Sequence, residues 1–244
     1  MSIFRNLFSL ELPDTYSVNL KFRHEFKHFI NYGDYLTISQ ALKLVCAKDP
    51  HVNSEGFYQV RSLYFDNFEN KAVREKLNGL KVREKFRIRF YNQDASFIRL
   101  EKKLKVGDYC SKDLAKLTQD EAEKILAGEI NSLDTSERKV LEELRLKMTF
   151  QQLRPKTVVE YQREPFVYTP GNVRITLDSR IHSSNYSIDL FNPELPLVSV
   201  STPGHFILEV KFDEFLPEMI RDLIQTNTRR SSAISKYVAA RIYS

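Results

Sequence analysis

The chain has 244 residues, 42% of them hydrophobic and 28% charged, with 17 Phe, 12 Tyr and a formal charge of +5. That composition supports a substantial apolar core and excludes a disordered chain, and the length suits one large domain. The seven glycines are never closer than 21 residues, whereas P-loops and dinucleotide fingerprints need glycines within about six positions, so any phosphate here must be held by side chains.

The first residues, MSIFRNLFSLELPD, lack a basic n-region and carry Glu11 and Asp14, unlike a signal peptide. Ile3, Phe4, Leu7 and Phe8 instead predict a capping segment over 1–15, with a small amphipathic membrane contact as the alternative, and 16–244 as the domain proper. From Tyr16 to Ile30 the even positions are mostly apolar, while Lys21, Arg23, Glu25 and Lys27 fall on the odd ones. Such alternation predicts a long strand. Helical spacing follows over 33–48, then a strand over 57–66, a helix over 68–77 and strands over 81–91 and 96–106. A short strand is expected near 109–112, followed by helices over 119–128 and 136–150. Strands over 154–167, 172–180 and 205–212 and helices over 215–226 and 231–243 complete the series. The stretch 181–204, with Pro193, Pro196 and Pro203, reads as an irregular excursion. About eight strands, several joined directly, predict an α+β protein, a mainly antiparallel sheet or barrel flanked by helices.

No apolar run approaches the roughly 20 residues of a membrane span. Cys46 falls in a predicted helix, Cys110 in a predicted strand, and no C-x-x-C spacing occurs. Reduced thiols in a soluble, cytoplasmic protein are expected. Residues 24–28, His-Glu-Phe-Lys-His, match the zinc-protease pattern, but that chemistry needs a helix to bring i and i+4 over one metal. On a strand rising about 3.3 Å per residue the two histidines lie roughly 13 Å apart, too far to share a zinc.

The polar strand faces carry Lys21, Arg23, Lys27, Lys81, Arg83, Lys85, Arg87, Arg89, Arg99, Lys103, Lys105, Arg174 and Lys211, against only Glu25, Glu101, Asp178 and Glu209. A single such face could be solvated, but a water-facing surface normally intersperses both signs. If the sheet closes with these faces inward, the cationic interior calls for a multivalent anion. Nucleic acid would require aromatics on the basic face to stack bases. Phe22, Phe26, Phe86, Phe90 and Phe206 fall on the opposite face, so a phosphate chain is the better fit and nucleic acid is not expected. The four carboxylates could hold a divalent cation beside phosphate oxygens, or could pair with the neighbouring Arg and Lys.

In chain order, R-x-E-x-K (23–27), VRSLYFD (60–66), RIRFY (87–91), LEKK (100–103), VEYQREPF (159–166), VRITLDS (173–179), FILEVKF (206–212) and SAISKY (232–237) resemble the catalytic domain of the vacuolar transporter chaperone (VTC) family. That family is the polyphosphate-polymerase branch of the CYTH-like triphosphate tunnel metalloenzymes. The resemblance spans roughly residues 20–242 and implies an eight-stranded antiparallel β-barrel, a tunnel for a triphosphate or growing polyphosphate. It implies Lys27, Arg87, Arg89, Lys103, Lys112, Arg163, Arg174 and Lys236 as basic phosphate ligands, Tyr161 and Ser235 as hydrogen-bond donors, and Glu209 as metal ligand. Arg23, Lys85 and Lys211 join the expected substrate-binding set, and Glu25, Glu101 and Asp178 the possible metal ligands. Arg23 stands where the wider superfamily has a glutamate, which suits the VTC branch. Eukaryotic relatives add a phosphate-sensing domain and membrane helices, and neither is implied for this chain.

The expected activity is transfer of the γ-phosphoryl group of ATP, or another nucleoside triphosphate, to inorganic polyphosphate with Mn2+ or Mg2+. An inorganic or nucleoside triphosphatase is the same-fold alternative, and a non-catalytic polyphosphate or nucleic-acid binding module the second. Phosphoryl transfer asks of the protein mainly alignment and charge stabilisation, which Arg and Lys walls supply.

Overall fold

The computed structural model describes residues 23–107, 109–225 and 235–242. The expected capping segment, the first seven residues of the long predicted strand with Lys21, and 231–234 lie outside the described residues.

Eight strands alternate direction around a closed barrel: β1 (Arg23–Ile30), β3 (Tyr58–Asp66), β4 (Val82–Tyr91), β5 (Asp94–Val106), β6 (Tyr109–Leu117), β7 (Arg154–Tyr168), β8 (Val173–Ser183) and β10 (Phe206–Phe212). They run in the order β7, β3, β4, β5, β6, β1, β10, β8, and β8 pairs back onto β7. All these pairings are antiparallel. Two-residue strands β2 (Ala47–Lys48) and β9 (Val198–Ser199) extend the edges of β7 and β8. Every long strand of the sequence reading is present within a few residues. The correction concerns β6, which runs nine residues instead of four because its register follows β5 from Val106↔Tyr109 to Ile98↔Leu117.

Alternation sends one face of each strand into the barrel and the other under helices. On β4, Phe86, Ile88 and Phe90 face outward and pack with Ile98 and Leu100 of β5 beneath α3 (Gln119–Ala127) and α4 (Lys139–Phe150), which contribute Ile125, Leu141, Leu144 and Met148. A Thr118–Glu121 capping box starts α3 and left-handed Gly128 ends it, the boundary chemistry that orphaned helix-end groups require. A second outer cluster places α1 (Tyr32–Val45) and α5 (Glu218–Leu223) against β8 and β10 through Ile38, Leu42, Ile220, Ile175, Leu208 and Val210. α2 (Lys71–Leu77) lies beside the start of β4.

The third cluster closes the barrel. Tyr237, Val238 and Ala240 of α6 (Lys236–Ile242) pack on Val60, Val159, Tyr161 and Ile207, all on inward faces. Tyr237 stacks on Tyr64 with centroids 5.0 Å apart and donates its hydroxyl to Asp66 at 2.9 Å. Between β7 and β8, Gly171 adopts φ 72°, and a side chain there would meet the Phe215 carbonyl at 2.5 Å. Only glycine closes that turn.

The 181–204 excursion is held by a cation that faces away from the tunnel. Arg61, 2% exposed, donates to Glu160 at 2.6 Å and to the carbonyls of Leu190 and Asn192 at 3.3 and 2.5 Å. Arg61→Ala leaves Glu160 and two carbonyls without their donor, and breaking a buried pair costs about 3 kcal/mol or more. We expect Tm to fall by roughly 6–12 °C with tripolyphosphate affinity of the folded protein unchanged. Calorimetry and titration check this, and a fall in affinity equal to the fall in stability would show that Arg61 serves the tunnel.

Cys46, the C-cap of α1, and Cys110, on β6, are both free. Among the described residues no helix is long and apolar enough to cross a membrane. His24 and His28 lie on the outer side of β1, with His24 stacked on Phe212 at 4.9 Å, consistent with refusing the zinc-protease motif.

Candidate functional site

The inward faces enclose a cavity of about 410 Å3 lined, among the described residues, by twelve Lys and Arg side chains. The strands deliver them by alternation: Lys85, Arg87 and Arg89 from β4, Arg99 and Lys103 from β5, Lys27 from β1, Lys211 from β10, Arg163 from β7. Lys112, Lys236, Ser235 and Tyr161 join them, with Arg23 and Arg174 beside Asp213 and Asp49 at 2.7 and 2.5 Å. Every described cation that the resemblance implied therefore lines one space. Of the twelve described cations that the sequence put on the polar strand faces, nine line this cavity, and for them the solvated-face alternative does not hold; Lys81, Arg83 and Lys105 lie outside the lining, with Lys81 exposed to solvent.

The four carboxylates are ion-paired in two ways. Glu101, 1% exposed, holds Arg87 Nε at 2.6 Å through Oε2 and Lys112 Nζ at 2.5 Å through Oε1. Asp178, fully buried, takes Arg163 through both oxygens at 2.6 and 2.8 Å and Lys236 at 2.5 Å. The bidentate fork fixes the Arg163 guanidinium plane. Glu25 and Glu209 form a different arrangement, because the Lys27 ammonium lies between them at 3.3 and 3.2 Å. Lys103 meets both Glu25 oxygens at 2.6 Å, and Lys211 contacts Glu209 and, at 3.6 Å, Glu25. Burial opposes ionisation of Glu25 and Glu209, and each charge opposes the other. The surrounding lysines prevail and hold both carboxyls well below the usual range. Among the described residues no three His, Cys, Asp or Glu side chains gather as a complete metal cage.

Tyrosines correct the expectation that aromatics avoid the basic face. Tyr58, Tyr64, Tyr91 and Tyr161 line the cavity. Arg87 donates to the Tyr64 hydroxyl at 3.0 Å, and Arg89 to Tyr161 and Ser62 at 2.9 Å each. Tyr64 and Tyr161 thereby orient guanidinium groups, and with Tyr58 they are no more than 5% exposed and offer no open platform for bases. The signal was their parity: Tyr91 shares that of Arg87 and Arg89, and Tyr58, Ser62 and Tyr64 alternate on one face of β3.

The cations crowd one another. Burial, with Lys103, Arg87 and Lys27 adding to it, pushes the Lys85 ammonium down to about 7 despite the opposing pull of Tyr64. Burial and Arg87 and Arg89 bring Lys112 down to about 7 against Glu101, and burial and Lys27 bring Lys103 to about 8 against Glu25. Burial would raise the Tyr64 phenol, but Arg87, Lys85 and Arg89 override it and lower it to about 7. The field reaches α2, where burial, Arg83 and Lys105 lower Lys76 to about 8.

A stability prediction follows from the sign of these shifts. Between pH 7 and 9 the unfolded chain keeps protons on these lysines and on Tyr64 that the folded chain has released, so stability rises with pH across that window. The ligand-free protein should melt higher at pH 9 than at pH 7. Tripolyphosphate restores the lysine protons and should bind more weakly at pH 9. A ligand-free Tm that fell from pH 7 to 9 would contradict this.

A comparison with curated protein sequences finds no match. Similar solved structures include a candidate adenylate cyclase from Bacillus halodurans, 17% identical over 84% of this chain and 87% of that one, with a TM-score of 0.47. A candidate adenylyl cyclase from Hippeastrum with a dominant triphosphatase activity is 14% identical over 89% and 94% of the two chains, with a TM-score of 0.49. A protein from Pyrococcus horikoshii is 13% identical over 83% and 85%, at 0.41. The family model of the VTC domain matches residues 22–243. With that match running from the first strand of the barrel through the helix that closes it, the chain belongs to the VTC domain family.

Proposed function

We propose that this protein is a polyphosphate polymerase-like phosphotransferase, moving the γ-phosphoryl group of a nucleoside triphosphate to a growing inorganic polyphosphate chain. The observation that carries the reading is the surplus of cations: twelve of the described Lys and Arg side chains line the cavity, and burial together with their mutual repulsion brings three of the lysines down to about 7 or 8. A chain with a charge on every phosphate relieves that repulsion along its whole length, which orthophosphate cannot do. On this reading residues 16–244 work as one unit.

A divalent ion, Mn2+ or Mg2+, fits the Glu25–Glu209 pair, because such ions take one or two carboxylates and complete their shell with water and phosphate oxygens. Two ionised carboxylates sharing lysines supply hard oxygen donors that can exchange an ammonium for the ion. We assign Glu209 and Glu25 to it, and Glu101 and Asp178 to the arginines whose forks they aim. When bound, the ion would neutralise charge developing on the bridging oxygens. Arg87, Arg89 and Arg163 would hold phosphoryl oxygens bidentately. Lys85, Lys103, Lys112 and Lys236 would act as point charges, and Tyr161 and Ser235 as hydroxyl donors. The attacking group is then a terminal phosphate oxygen held in line by the same walls, which supplies effective concentration in place of a base.

A second reading, a triphosphatase, draws support from Tyr64 and Lys85. Both titrate near 7 inside the cavity, where either could accept a proton from an attacking water. Incubation with ATP labelled at the γ-phosphate and Mn2+, followed by gel electrophoresis and a free-phosphate assay, separates the two. We expect a labelled polymer ladder to dominate over orthophosphate. Stoichiometric orthophosphate with no ladder, even with a short polyphosphate primer, would leave the triphosphatase. Tight polyphosphate binding with no turnover under either metal would leave a binding module.

A further inference from the structure

A second cavity, of about 580 Å3, lies on the outer wall of the barrel over β7 and β8, within the roughly 300–1,000 Å3 of small-molecule sites. Its floor is built on an irregularity. Gln162 pairs with Ser179 and Glu160 with His182, so a single residue of β7, Tyr161, opposes both Arg180 and Ile181 of β8. This is a β-bulge, and bulges re-aim side chains. Without it Arg180 would continue the inward series Arg174, Thr176, Asp178. The extra residue instead turns Arg180 into the outer cavity and sends Ile181 to the core. Arg180 adopts φ 49°, a left-handed conformation strained for a residue with a side chain and concentrated at functional sites. It is exposed, and no described carboxylate pairs with it.

The facing wall is aromatic. Tyr35 and Phe206 stack at 4.0 Å with planes 4° apart. Tyr32 leans on both, with centroids at 6.0 and 6.2 Å, and leaves 56% of its surface open. The one carboxylate in the lining among the described residues, Glu164, is already answered by Lys43 at 2.9 Å and by Ser39, which donates to its two oxygens at 3.0 and 3.1 Å. What meets a ligand there is Arg180, His182 and the open Tyr32 ring, with His205 and several serine and threonine hydroxyls also in the lining.

We propose that this outer cavity is a second binding site, separate from the tunnel, for a nucleoside mono- or diphosphate. The planar base lies on the Tyr32 wall, where stacking is sequence-tolerant and favourable, and the phosphate meets Arg180 bidentately. The site stands on its own geometry and does not depend on which reaction the tunnel performs.

The test fills the tunnel first. With the protein saturated by inorganic tripolyphosphate, AMP and ADP are titrated and followed by calorimetry and ligand-observed NMR. We expect both to bind, and ribose 5-phosphate, which lacks the base, to bind at least about tenfold more weakly. Arg180→Gly should weaken AMP at least about tenfold while Tm stays level or rises, since glycine adopts this φ without strain. If that variant does not fold, Arg180→Asn, also tolerant of the left-handed region, replaces it. Tyr32→Ala should weaken AMP but not ribose 5-phosphate. Failure of AMP and ADP to bind more tightly than about 1 mM, or binding indifferent to both substitutions, overturns the proposal.

Discussion

Inorganic tripolyphosphate should raise the melting temperature by roughly 5–11 °C when present at about a hundred times its dissociation constant, a concentration that adds roughly 2.7 kcal/mol to a protein of this size. Orthophosphate at the same concentration should do far less. The cations are spread around the barrel: Lys27 and Lys211 on β1 and β10, Arg87 and Arg89 on β4, Arg163 on β7 and Lys236 on α6 all face one cavity. One phosphate reaches a few of them, whereas three linked phosphates reach several groups at once and avoid separate entropic costs. The added stability should be larger at pH 7 than at pH 9, because Lys85 and Lys112 must be protonated to contribute and are only half so near pH 7. Equal shifts from the two anions would argue against a lining that acts along its length. A shift undiminished by 0.5 M salt would be equally damaging, since a binding energy built on charges should be screened.

The barrel was legible because period-2 alternation marks five of its strands clearly, and the side chains of a barrel follow that period between bulges. β6 was harder, since YCSKDLAKL mixes a polar face with a weakly apolar one. Its nine residues pair because β5 is a long, well-ordered neighbour. The cationic interior was legible as a one-signed bias, and motif order placed Lys112, Arg163 and Lys236, which no face count had found. Pairing was not legible. Nothing in the spacing says that Asp178 serves Arg163 across the β7–β8 ladder while Glu209 shares Lys27 with Glu25, because those partners meet only through register. The bulge at Arg180 was also hidden, for a single extra residue leaves no trace in a hydrophobic pattern that is already ending.

Register also explains why four carboxylates in one cationic tunnel differ in what they can do. Glu101 and Asp178 each face an arginine on a neighbouring strand, Arg87↔Glu101 and Arg163↔Asp178. The Arg163 fork takes both Asp178 oxygens, while Arg87 takes one oxygen of Glu101 and Lys112 the other, and a guanidinium contact of this kind has a fixed planar geometry. Glu25 and Glu209 face lysines, Glu25↔Lys211 and Lys27↔Glu209, whose ammonium groups are compact and mobile. Lysine partners can be displaced by a divalent ion far more readily than an arginine fork. On the proposed reading this difference separates Glu101 and Asp178, which position arginines, from Glu25 and Glu209, which would accept the metal.

Glu209→Gln should therefore lower metal-dependent turnover by at least about 100-fold, equivalent to roughly 3 kcal/mol of transition-state stabilisation, while leaving metal-free tripolyphosphate affinity unchanged or improved. The second half of that expectation follows from charge. Glu209 is 5% exposed and contributes a negative charge to a cavity proposed to receive an anion, so its neutral isostere removes repulsion. Lys27 does not lose its only partner, since Glu25 remains 3.3 Å away, and the fold should tolerate the change. Asp178→Asn is the informative contrast. It removes the carboxylate that aims Arg163 and holds Lys236, leaving two buried cations without their partner. That variant should lose stability and tripolyphosphate affinity together, with or without metal. Stopped assays over a range of Mn2+ concentrations, with binding measured in a chelator, distinguish the two patterns. Near-normal turnover of the Glu209 variant would remove Glu209 from the metal site. A parallel loss of metal-free binding would make it a positioning residue like Asp178.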